Sequence, residues 1–393
     1  MHKNDVVVID RKYLGTADNL QVKKDSVSFC DDQTISDSWA WSLDCVHNSL
    51  RHLAMSTGHS VSAHPPKSHL AAWETLGSSP PWAHALPPHV FKAWLQKFTR
   101  ELLELRDRWA DSYYGREFQV QQRLLQRLQQ PFVDSLVIKK IDDDRVRAFE
   151  PDAAGCAPKS TYDIWSSVTG RMSIESGPNI LTLDKKYRRI FKSRFTDGEI
   201  IQIDFSSLEP NTFLAMQGKS FESDAYAWVA SQIDVTVPRE VLKVAVMSAL
   251  YGMSPSNFAK KFADIPDANE LLFQVRDAFG FDKMTKHYRE QLDAEGHITN
   301  HFGRIIRCDK TSPLVAHAVQ STAVDVVCQG FTALLDEFQM EGIDAVPLYL
   351  IHDALMLDVT PTAKAHIKAR LDSGVHIASM GCTMPLKLKT IDA

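Results

Sequence analysis

The sequence predicts an α+β protein in which a loop-rich N-terminal region precedes a longer domain of mixed strands and helices. Three observations support this prediction. Residues 1–94 contain repeated Pro and Gly turn signals. Residues 89–131 have apolar side chains at helical spacing. From Gly198 onward, short β-branched runs alternate with amphipathic helical patterns, which is typical of strands and helices in one domain.

Composition places the chain among ordinary globular proteins. It has 393 residues, of which 44% are hydrophobic and 24% charged, and its formal net charge is -5. Any nucleic-acid surface must therefore come from local clusters of Lys and Arg. The six cysteines form no Cys-x-x-Cys pair, which favours free thiols in a reducing compartment. No run of about 18 apolar residues predicts a membrane span. We expect a cytoplasmic protein, encoded by a bacterium or a phage.

Two helices are predicted within 89–131, one starting near Val90 and one over Glu117 to Gln129. Both mix basic and acidic residues, so they fit either a solvated helical hairpin or an arm that follows a nucleic-acid duplex. Farther along, six of the ten residues from Lys185 to Arg194 are cationic. This segment is consistent with a phosphate-binding track and equally with a charged surface strand.

Two carboxylates interrupt apolar runs. Asp204 ends a predicted strand from Glu199, and Asp353 breaks the run Ala345 to Val359, where a tight hairpin is predicted. A carboxylate in apolar surroundings needs a hydrogen-bond partner or a metal. One such aspartate favours a structural turn role. Two of them, on strands that could pair, favour a site for two divalent ions.

A cationic helix face lies between these aspartates in the sequence. A helix is predicted from Pro238 to Leu250, and Arg239, Lys243, Met247 and Tyr251 follow at intervals of four, so they share a broad face. The side chains of Arg239 and Lys243 suit the phosphates of a nucleotide, and those of Met247 and Tyr251 suit its sugar and base. Alone, this face fits an ordinary amphipathic helix. Combined with the carboxylates, it indicates nucleotidyl transfer. A further helix is predicted over Thr322 to Glu337.

These residues resemble motifs of the family A DNA polymerases, the group of bacterial DNA polymerase I. The family's Asp-Tyr-Ser-x-x-Glu motif corresponds to Asp204 to Glu209. Its Arg and Lys helix that ends in Tyr-Gly corresponds to Arg239 to Gly252, and its His-Asp hairpin to His352-Asp353. Two more stretches, Thr169 to Asn179 and Val319 to Asp325, resemble further motifs, the second preceded by Phe302-Gly303-Arg304. Five motifs in the family's order form a specific match.

The resemblance implies a role for each matching residue. Two Mg²⁺ ions would be held by Asp204 and Asp353, and Lys243 would also donate a proton to the pyrophosphate. The nucleotide-binding residues implied are Phe205, Ser206, Glu209, Arg239, Lys243, Met247 and Tyr251, with Glu209 as a steric gate against the 2′-hydroxyl. The DNA-binding residues implied are Arg171, Asn179, Arg304, Gln320 and His352.

The fold implied is a right-hand polymerase: an antiparallel palm sheet with helical fingers and thumb. The expected organisation is an accessory region at 1–94 and a polymerase domain at 95–393. The expected thumb is about 89–131, the palm about 132–210 and 296–393, and the fingers about 211–295. The expected activity is addition of dNTPs to a primer on template DNA, without proofreading. A replication or processivity protein is the expected further partner, and no interaction with a membrane is expected.

Three departures from the family pattern leave alternatives open. Ala354 replaces the Glu of the usual His-Asp-Glu, which would weaken activity and leaves room for a noncatalytic DNA-binding protein. Met247 replaces the usual Phe or Tyr and resembles single-subunit RNA polymerases, so an RNA polymerase or primase-like enzyme is the other alternative. Pro210-Asn211 replaces the usual Leu-Arg. Glu209 and the segment Gln320 to Asp325 favour DNA.

Overall fold

The computed structural model describes residues 6–30, 38–42, 48–61, 71, 75, 86–110, 113–164, 166–219 and 225–391. Internal contacts divide the chain into two compact units, Met1–Gln126 and Arg127–Ala393. The expected boundary at 94/95 falls inside a helix, Pro88–Ala110, so the division lies about one helical hairpin later in the chain. The roles assigned to the domains stay predictions.

The first unit combines a four-stranded sheet with helices. Its elements are β1 (Val7–Ile9), α1 (Arg11–Leu14), β2 (Asn19–Lys23), β3 (Ser26–Cys30), β4 (Trp39–Trp41), α2 (Ser49–Thr57), α3 (Pro88–Ala110) and α4 (Tyr113–Arg127), whose last residue begins the second unit. The strand order is β3-β2-β1-β4, with β1 and β4 parallel. The Phe98 ring of α3 stacks on Trp94 and meets Trp41 edge-on, so aromatic packing joins α3 to this sheet. Both helices predicted within 89–131 are confirmed.

The second unit contains the remaining elements. Its strands are β5 (Phe132–Val133), β6 (Thr161–Asp163), β7 (Ser173–Ser176), β8 (Phe191–Lys192), β9 (Glu199–Phe205), β10 (Ile298–Thr299), β11 (Ile305–Ile306), β12 (Ala345–Ile351), β13 (Ala354–Val359), β14 (Val375–Ile377), β15 (Cys382–Met384) and β16 (Leu386–Thr390). Its α-helices are α5 (Ser135–Ile138), α6 (Asp144–Arg147), α7 (Leu208–Met216), α8 (Ala225–Ala230), α9 (Arg239–Leu250), α10 (Pro255–Lys261), α11 (Ala268–Ala278), α12 (Phe281–Glu295), α13 (Leu314–Met340) and α14 (Pro361–Leu371). The 3₁₀ helices are Ile180–Thr182, Lys185–Ile190 and Ala378–Met380.

A four-stranded antiparallel sheet lies at the centre of the second unit, in the order β12-β13-β9-β16. The predicted hairpin is confirmed: β12 and β13 are joined by His352 and Asp353 alone. The predicted strand at Glu199 is also confirmed and pairs with β13. Tyr162, on the neighbouring β6, donates its hydroxyl to the Leu350 carbonyl and accepts the Leu350 N–H, both at 2.9 Å. The hairpin is therefore held immediately before its turn.

Helix α13 packs on this sheet. It extends the predicted helix Thr322–Glu337 at both ends, and its buried residues include Gly330 and Phe331. The Phe205 ring of β9 lies 5.0 Å from the Phe331 ring, centroid to centroid. A Cβ added at Gly330 would lie 2.7 Å from Phe205 Cζ. Gly330 therefore permits the close approach of helix and sheet.

One helix in the described part of the chain, α13, is long and apolar enough to cross a membrane by length and composition. Within its most apolar window, 78% of the residues are buried inside the protein. Burial of this kind is typical of a core helix, which passes the same test of length and composition. The helix is thus weak support for a membrane span.

Helices α7 to α12 share a second hydrophobic core, centred on the fully buried Phe213, Phe258 and Leu271. Helix α9 begins at Arg239, one residue after the predicted start, because Pro238 lies at the N-cap. Helical clusters and antiparallel sheets within one unit confirm the α+β class.

Gly330→Ala is expected to destabilise the protein by up to about 2 kcal/mol. Adding a methyl group forces the buried Phe205 ring to move, at about 1–3 kcal/mol, and this outweighs the gain in helix propensity of about 1 kcal/mol. Urea unfolding followed by circular dichroism measures the effect. Ala333→Ser, at an exposed position of the same helix, is the control. An unchanged or higher unfolding midpoint for Gly330→Ala would contradict this packing.

Candidate active site

A cavity of about 940 Å³ in the second unit brings most of the predicted residues together. The predicted residues that line it are Arg171, Asp204, Phe205, Ser206, Glu209, Arg239, Lys243, Met247, Tyr251, Gln320, His352 and Asp353. Lining residues that the sequence analysis did not assign to the site include Lys185, Arg188, Gln202, Tyr226, Glu240, Lys387 and Lys389. Two predicted residues, Asn179 and Arg304, do not line it.

Asp204 lies on β9, and Asp353 lies in the turn immediately before the neighbouring strand β13. In the register of β9 and β13, Asp204 is directly opposite Ala354, and the Phe205 N–H donates to the Asp353 carbonyl at 3.2 Å. Asp353 is thus one residue from the position opposite Asp204. Because side chains alternate along a strand, Asp204 and Phe205 face opposite sides of the sheet. Asp204 lines the cavity, and the Phe205 ring packs against α13.

The surroundings of Asp353 disfavour its ionised form. Burial raises the pKa of the Asp353 carboxyl, and repulsion from the Asp204 carboxylate raises it further. The adjacent His352 is exposed and has a φ of 58°, in the left-handed region that few non-glycine residues adopt. This backbone conformation closes the two-residue turn between β12 and β13. The turn therefore holds the Asp353 carboxyl group in surroundings that favour its neutral form.

Two lysines of β16 contact Asp204. Lys387 Nζ lies 3.4 Å from Asp204 Oδ2, and Lys389 Nζ is hydrogen-bonded to the same oxygen. The alternation in Leu386-Lys387-Leu388-Lys389 predicts that both lysines share one face of a strand. The sequence gives no sign that this face meets Asp204, because the pairing of β16 with β9 joins residues about 180 positions apart.

Helix α9 contributes the cationic side of the cavity. Arg239 and Lys243 are exposed, and Met247 is half-buried. The Arg239 guanidinium lies 5.0 Å from the centre of the Tyr226 ring, which is a cation–π contact that the sequence analysis missed. The predicted shared face is confirmed, since these side chains all line the same cavity.

A hydrogen-bond network crosses the cavity through Glu209. Arg171 Nη2 donates to Glu209 Oε1 at 2.5 Å, and the Tyr251 hydroxyl donates to Oε2 at 3.1 Å. Gln320 Nε2 in turn donates to the Tyr251 hydroxyl at 2.7 Å. Four residues predicted from four separate motifs therefore form one connected group. The Glu209 carboxylate is fixed from both sides.

A tight bend leads from β9 into α7 and explains one departure from the family pattern. Ser207 has a φ of 52°, and the Ser206 N–H donates to the Pro385 carbonyl at 2.9 Å. The fully buried Asn211 donates to the Ser206 carbonyl at 2.9 Å and accepts the Ala225 N–H at 2.7 Å. Asn211 therefore braces the bend that follows Asp204.

Arg304 has a structural position. It is only 3% exposed, and its guanidinium donates to the Ile164 carbonyl at 2.8 Å. Gly170 lies so close that a Cβ there would be 2.1 Å from Arg304 Nη1. Arg304 thus supports the loop that carries Arg171, and its predicted contact with DNA stays a prediction. Asn179, also predicted to bind DNA, accepts the Leu181 N–H and caps a 3₁₀ helix.

The basic segment Lys185 to Arg194 divides between the two predicted uses. Lys185 and Arg188 line the cavity, and Arg188 Nη1 donates to Gln202 Oε1 at 2.9 Å. Burial lowers the pKa of the Arg188 guanidinium. Lys192 instead pairs with Asp134, and Arg194 with the fully buried Asp358. Part of this segment is therefore structural, and part adds positive charge to the cavity.

No protein-family model matches the chain. DNA polymerase I of Aquifex aeolicus (strain VF5) is 23% identical over 238 residues, which cover 54% of this chain and 41% of that protein. The chain is similar to DNA polymerase I. It spans less than half of the length of this relative. The similarity confirms the resemblance predicted from the five motifs.

A solved structure of the POL domain of Pol1 from M. smegmatis, in complex with DNA primer-template and dNTP, was also found. It is 17% identical, with a TM-score of 0.48, and the match covers 88% of this chain and 64% of that one.

The residues fit an open magnesium site. Mg²⁺ is commonly bound through one or two carboxylates, with water and substrate phosphates as the other ligands. Asp204, on β9, and Asp353, in the turn before the adjacent β13, supply two carboxylates. Among the described residues, no cluster of three or more His, Cys, Asp or Glu side chains is placed to hold a metal by itself. Water molecules or substrate oxygens would therefore complete the coordination.

Asp353→Asn is expected to raise the stability of the metal-free protein by roughly 0.5–2 kcal/mol, the range common for single stabilising substitutions. Because the pKa of Asp353 is raised, its ionisation opposes folding. The advantage of the variant should thus be small at acidic pH and grow as the pH rises above the ordinary Asp pKa. Thermal unfolding in EDTA at several pH values measures it. A variant less stable than the wild type at neutral pH would contradict this account.

Proposed function

We propose that this chain is a template-directed DNA polymerase that adds dNTPs to the 3′ end of a primer. The observation that carries the proposal is one cavity in which Asp204 and Asp353 meet the cationic face of α9. The similarity to DNA polymerase I supports the same activity. The central sheet corresponds to the proposed palm, α7 to α12 to the fingers, and α3 and α4 to the thumb.

The charge of the cavity supports an anionic substrate. Seven Lys or Arg side chains line it, against four Asp or Glu side chains. Arg239 and Lys243, on consecutive turns of α9, are proposed to bind the triphosphate. Lys243 is also proposed to give a proton to the leaving pyrophosphate. Tyr251 and Met247 are proposed to contact the base and sugar. Phe205 and Ser206 would contribute through their backbone, because the Phe205 ring faces α13.

Asp204 and Asp353 are proposed to hold Mg²⁺, and the family resemblance predicts two ions. When bound, Mg²⁺ would activate the primer hydroxyl and stabilise the pyrophosphate. The protein's own part is to hold one carboxylate on β9 and the other in the turn before β13, and to bring the triphosphate to them. Arg171, Gln320 and His352, which line the same cavity, are proposed to contact the primer and template.

Glu209 is proposed to exclude ribonucleotides. Arg171 and Tyr251 hold its carboxylate in place, so a sugar 2′-hydroxyl would meet a fixed group. This observation favours a DNA polymerase over the RNA polymerase or primase-like alternative. Ala354 and the contacts of Asp204 with two lysines favour the noncatalytic DNA-binding protein as the second candidate.

Primer–template DNA and dNTPs are the proposed partners, with a replication or processivity protein as a third. The proposed location is the cytoplasm of a bacterial or phage-infected cell. The absence of proofreading in these 393 residues stays a prediction.

The proposal is tested by primer extension on a short primed DNA template with Mg²⁺ and dNTPs. Asp353→Asn should lower the extension rate by at least about a hundredfold, because metal-dependent stabilisation of the transition state amounts to several kcal/mol. Asp142→Asn is the matched control, since its side chain is 95% exposed and outside the cavity. Binding of primed DNA without extension by the wild type would favour the noncatalytic protein.

Glu209→Ala should raise the use of rNTPs relative to dNTPs by about 10–100-fold, the range expected when one contact to a substrate group is changed. Steady-state kinetics with each nucleotide set measures the ratio of kcat/KM values. Glu240→Ala removes an exposed carboxylate from the same cavity and should leave the ratio unchanged. An unaltered ratio in Glu209→Ala would mean that another group selects the sugar.

A further inference from the structure

The Asp204 carboxylate has two cationic neighbours on one strand. Strand β16 pairs with β9 so that Lys387 is directly opposite Asp204, and Lys389 is opposite Gln202 on the same face. Lys387 Nζ and Lys389 Nζ both contact Asp204 Oδ2. On the other side of β9, the residue opposite Asp204 is Ala354, which carries no charge. The immediate sheet neighbours of Asp204 thus supply positive charge only.

Both ammonium groups contact Oδ2, one of the two Asp204 oxygens that a divalent cation could use. Because Mg²⁺ requires near-ideal octahedral geometry, an ammonium group in contact with Oδ2 competes with the ion for this oxygen and for the space around it. The side chains of Lys387 and Lys389 are 48% and 44% exposed, whereas that of Asp204 is 9% exposed. The lysines are therefore long, half-exposed and able to swing away, and the aspartate is fixed in the sheet.

The sheet does not need these ion pairs to hold β16. Five consecutive residue pairs, from Leu386 to Thr390, already join β16 to β9. The lysines instead compensate the negative charge of Asp204, which is nearly buried and lies next to a second carboxylate, Asp353. Two carboxylates without a cation repel each other, and each loses hydration. Positive side chains at Asp204 relieve this cost while no metal is present.

We propose that Lys387 and Lys389 occupy the cation position at Asp204 in the metal-free protein and that a divalent ion binds by displacing them. The inference rests on the proposed function, which assigns Asp204 and Asp353 to metal binding. The lysines lower the affinity of the site for divalent ions and stabilise the site when it is empty. Displaced ammonium groups remain beside the cavity that they line with Lys243, where the phosphates of a substrate would be.

The proposal is tested by Mn²⁺ binding, measured from the electron paramagnetic resonance signal of free Mn²⁺ in the absence of nucleotide and DNA. Lys389→Met should tighten Mn²⁺ binding by at least about tenfold, since a unit charge some 4 Å away opposes a cation strongly even near the surface. Lys387→Met should act in the same direction with a smaller change. Lys389→Arg keeps the charge and should bind Mn²⁺ about as weakly as the wild type.

A second readout is thermal unfolding in EDTA. Loss of Lys389 should lower the unfolding temperature of the metal-free protein, and Mn²⁺ should stabilise Lys389→Met more than the wild type. Lys286→Met is the control, because Lys286 is 78% exposed, pairs with Glu290 and does not line the cavity. Its Mn²⁺ affinity and unfolding temperature should equal those of the wild type.

Equal Mn²⁺ affinity in the wild type and Lys389→Met would overturn the proposal, as would the absence of Mn²⁺ binding from both. Failure of the proposed function gives a different result. In that case the wild type does not extend primers, yet Mn²⁺ affinity still rises in Lys389→Met and is lost in Asp204→Asn. Conversely, primer extension with unchanged Mn²⁺ affinity would leave the polymerase proposal standing and remove the role of the lysines.

Discussion

The pairing of β13 with β9 is the constraint on which the candidate site depends. It brings residue 354 to residue 204 across 150 positions of sequence and thereby sets Asp353 beside Asp204. A shift of one residue in this register would turn Asp204 toward α13 and Phe205 toward the cavity. The register is set by six consecutive residue pairs, from Ala354 opposite Asp204 to Val359 opposite Glu199. The Tyr162 hydroxyl bonds both backbone groups of Leu350 and so anchors β12, the other strand of the hairpin.

The packing of α13 against the sheet supports the strand that carries Asp204. Gly330 allows α13 to approach β9 until the Phe205 and Phe331 rings touch, so the strand that carries Asp204 has a rigid support. The same helix presents Gln320 to the cavity. One core element therefore positions both a carboxylate strand and a polar side chain of the candidate site, and a displacement of α13 would affect both.

The electrostatics of the site oppose its own stability. Burial and mutual repulsion raise the pKa of Asp353, and the strained turn at His352 adds a backbone cost. Lysines at Asp204 and the paired Glu209 offset part of this cost by bringing opposite charges together. Such an arrangement is typical of a site that is completed by a ligand, because a charged partner then replaces the internal contacts.

The sequence by itself determined the α+β class, the hairpin at His352-Asp353, the strand that ends near Asp204 and the shared face of α9. These features depend on local periodicity and spacing, which the chain carries within about 15 residues. The motif resemblance also identified twelve residues that line one cavity in the structure.

Only the tertiary structure decided the rest. The contact of Lys387 and Lys389 with Asp204, the burial of Arg304 beneath Gly170 and the chain of contacts through Glu209 all join distant segments. The motif did not indicate that Arg304 is buried, because a cationic residue looks the same in sequence whether it is buried or exposed. Strand order and side-chain burial are properties of the whole packed chain, so no local pattern encodes them.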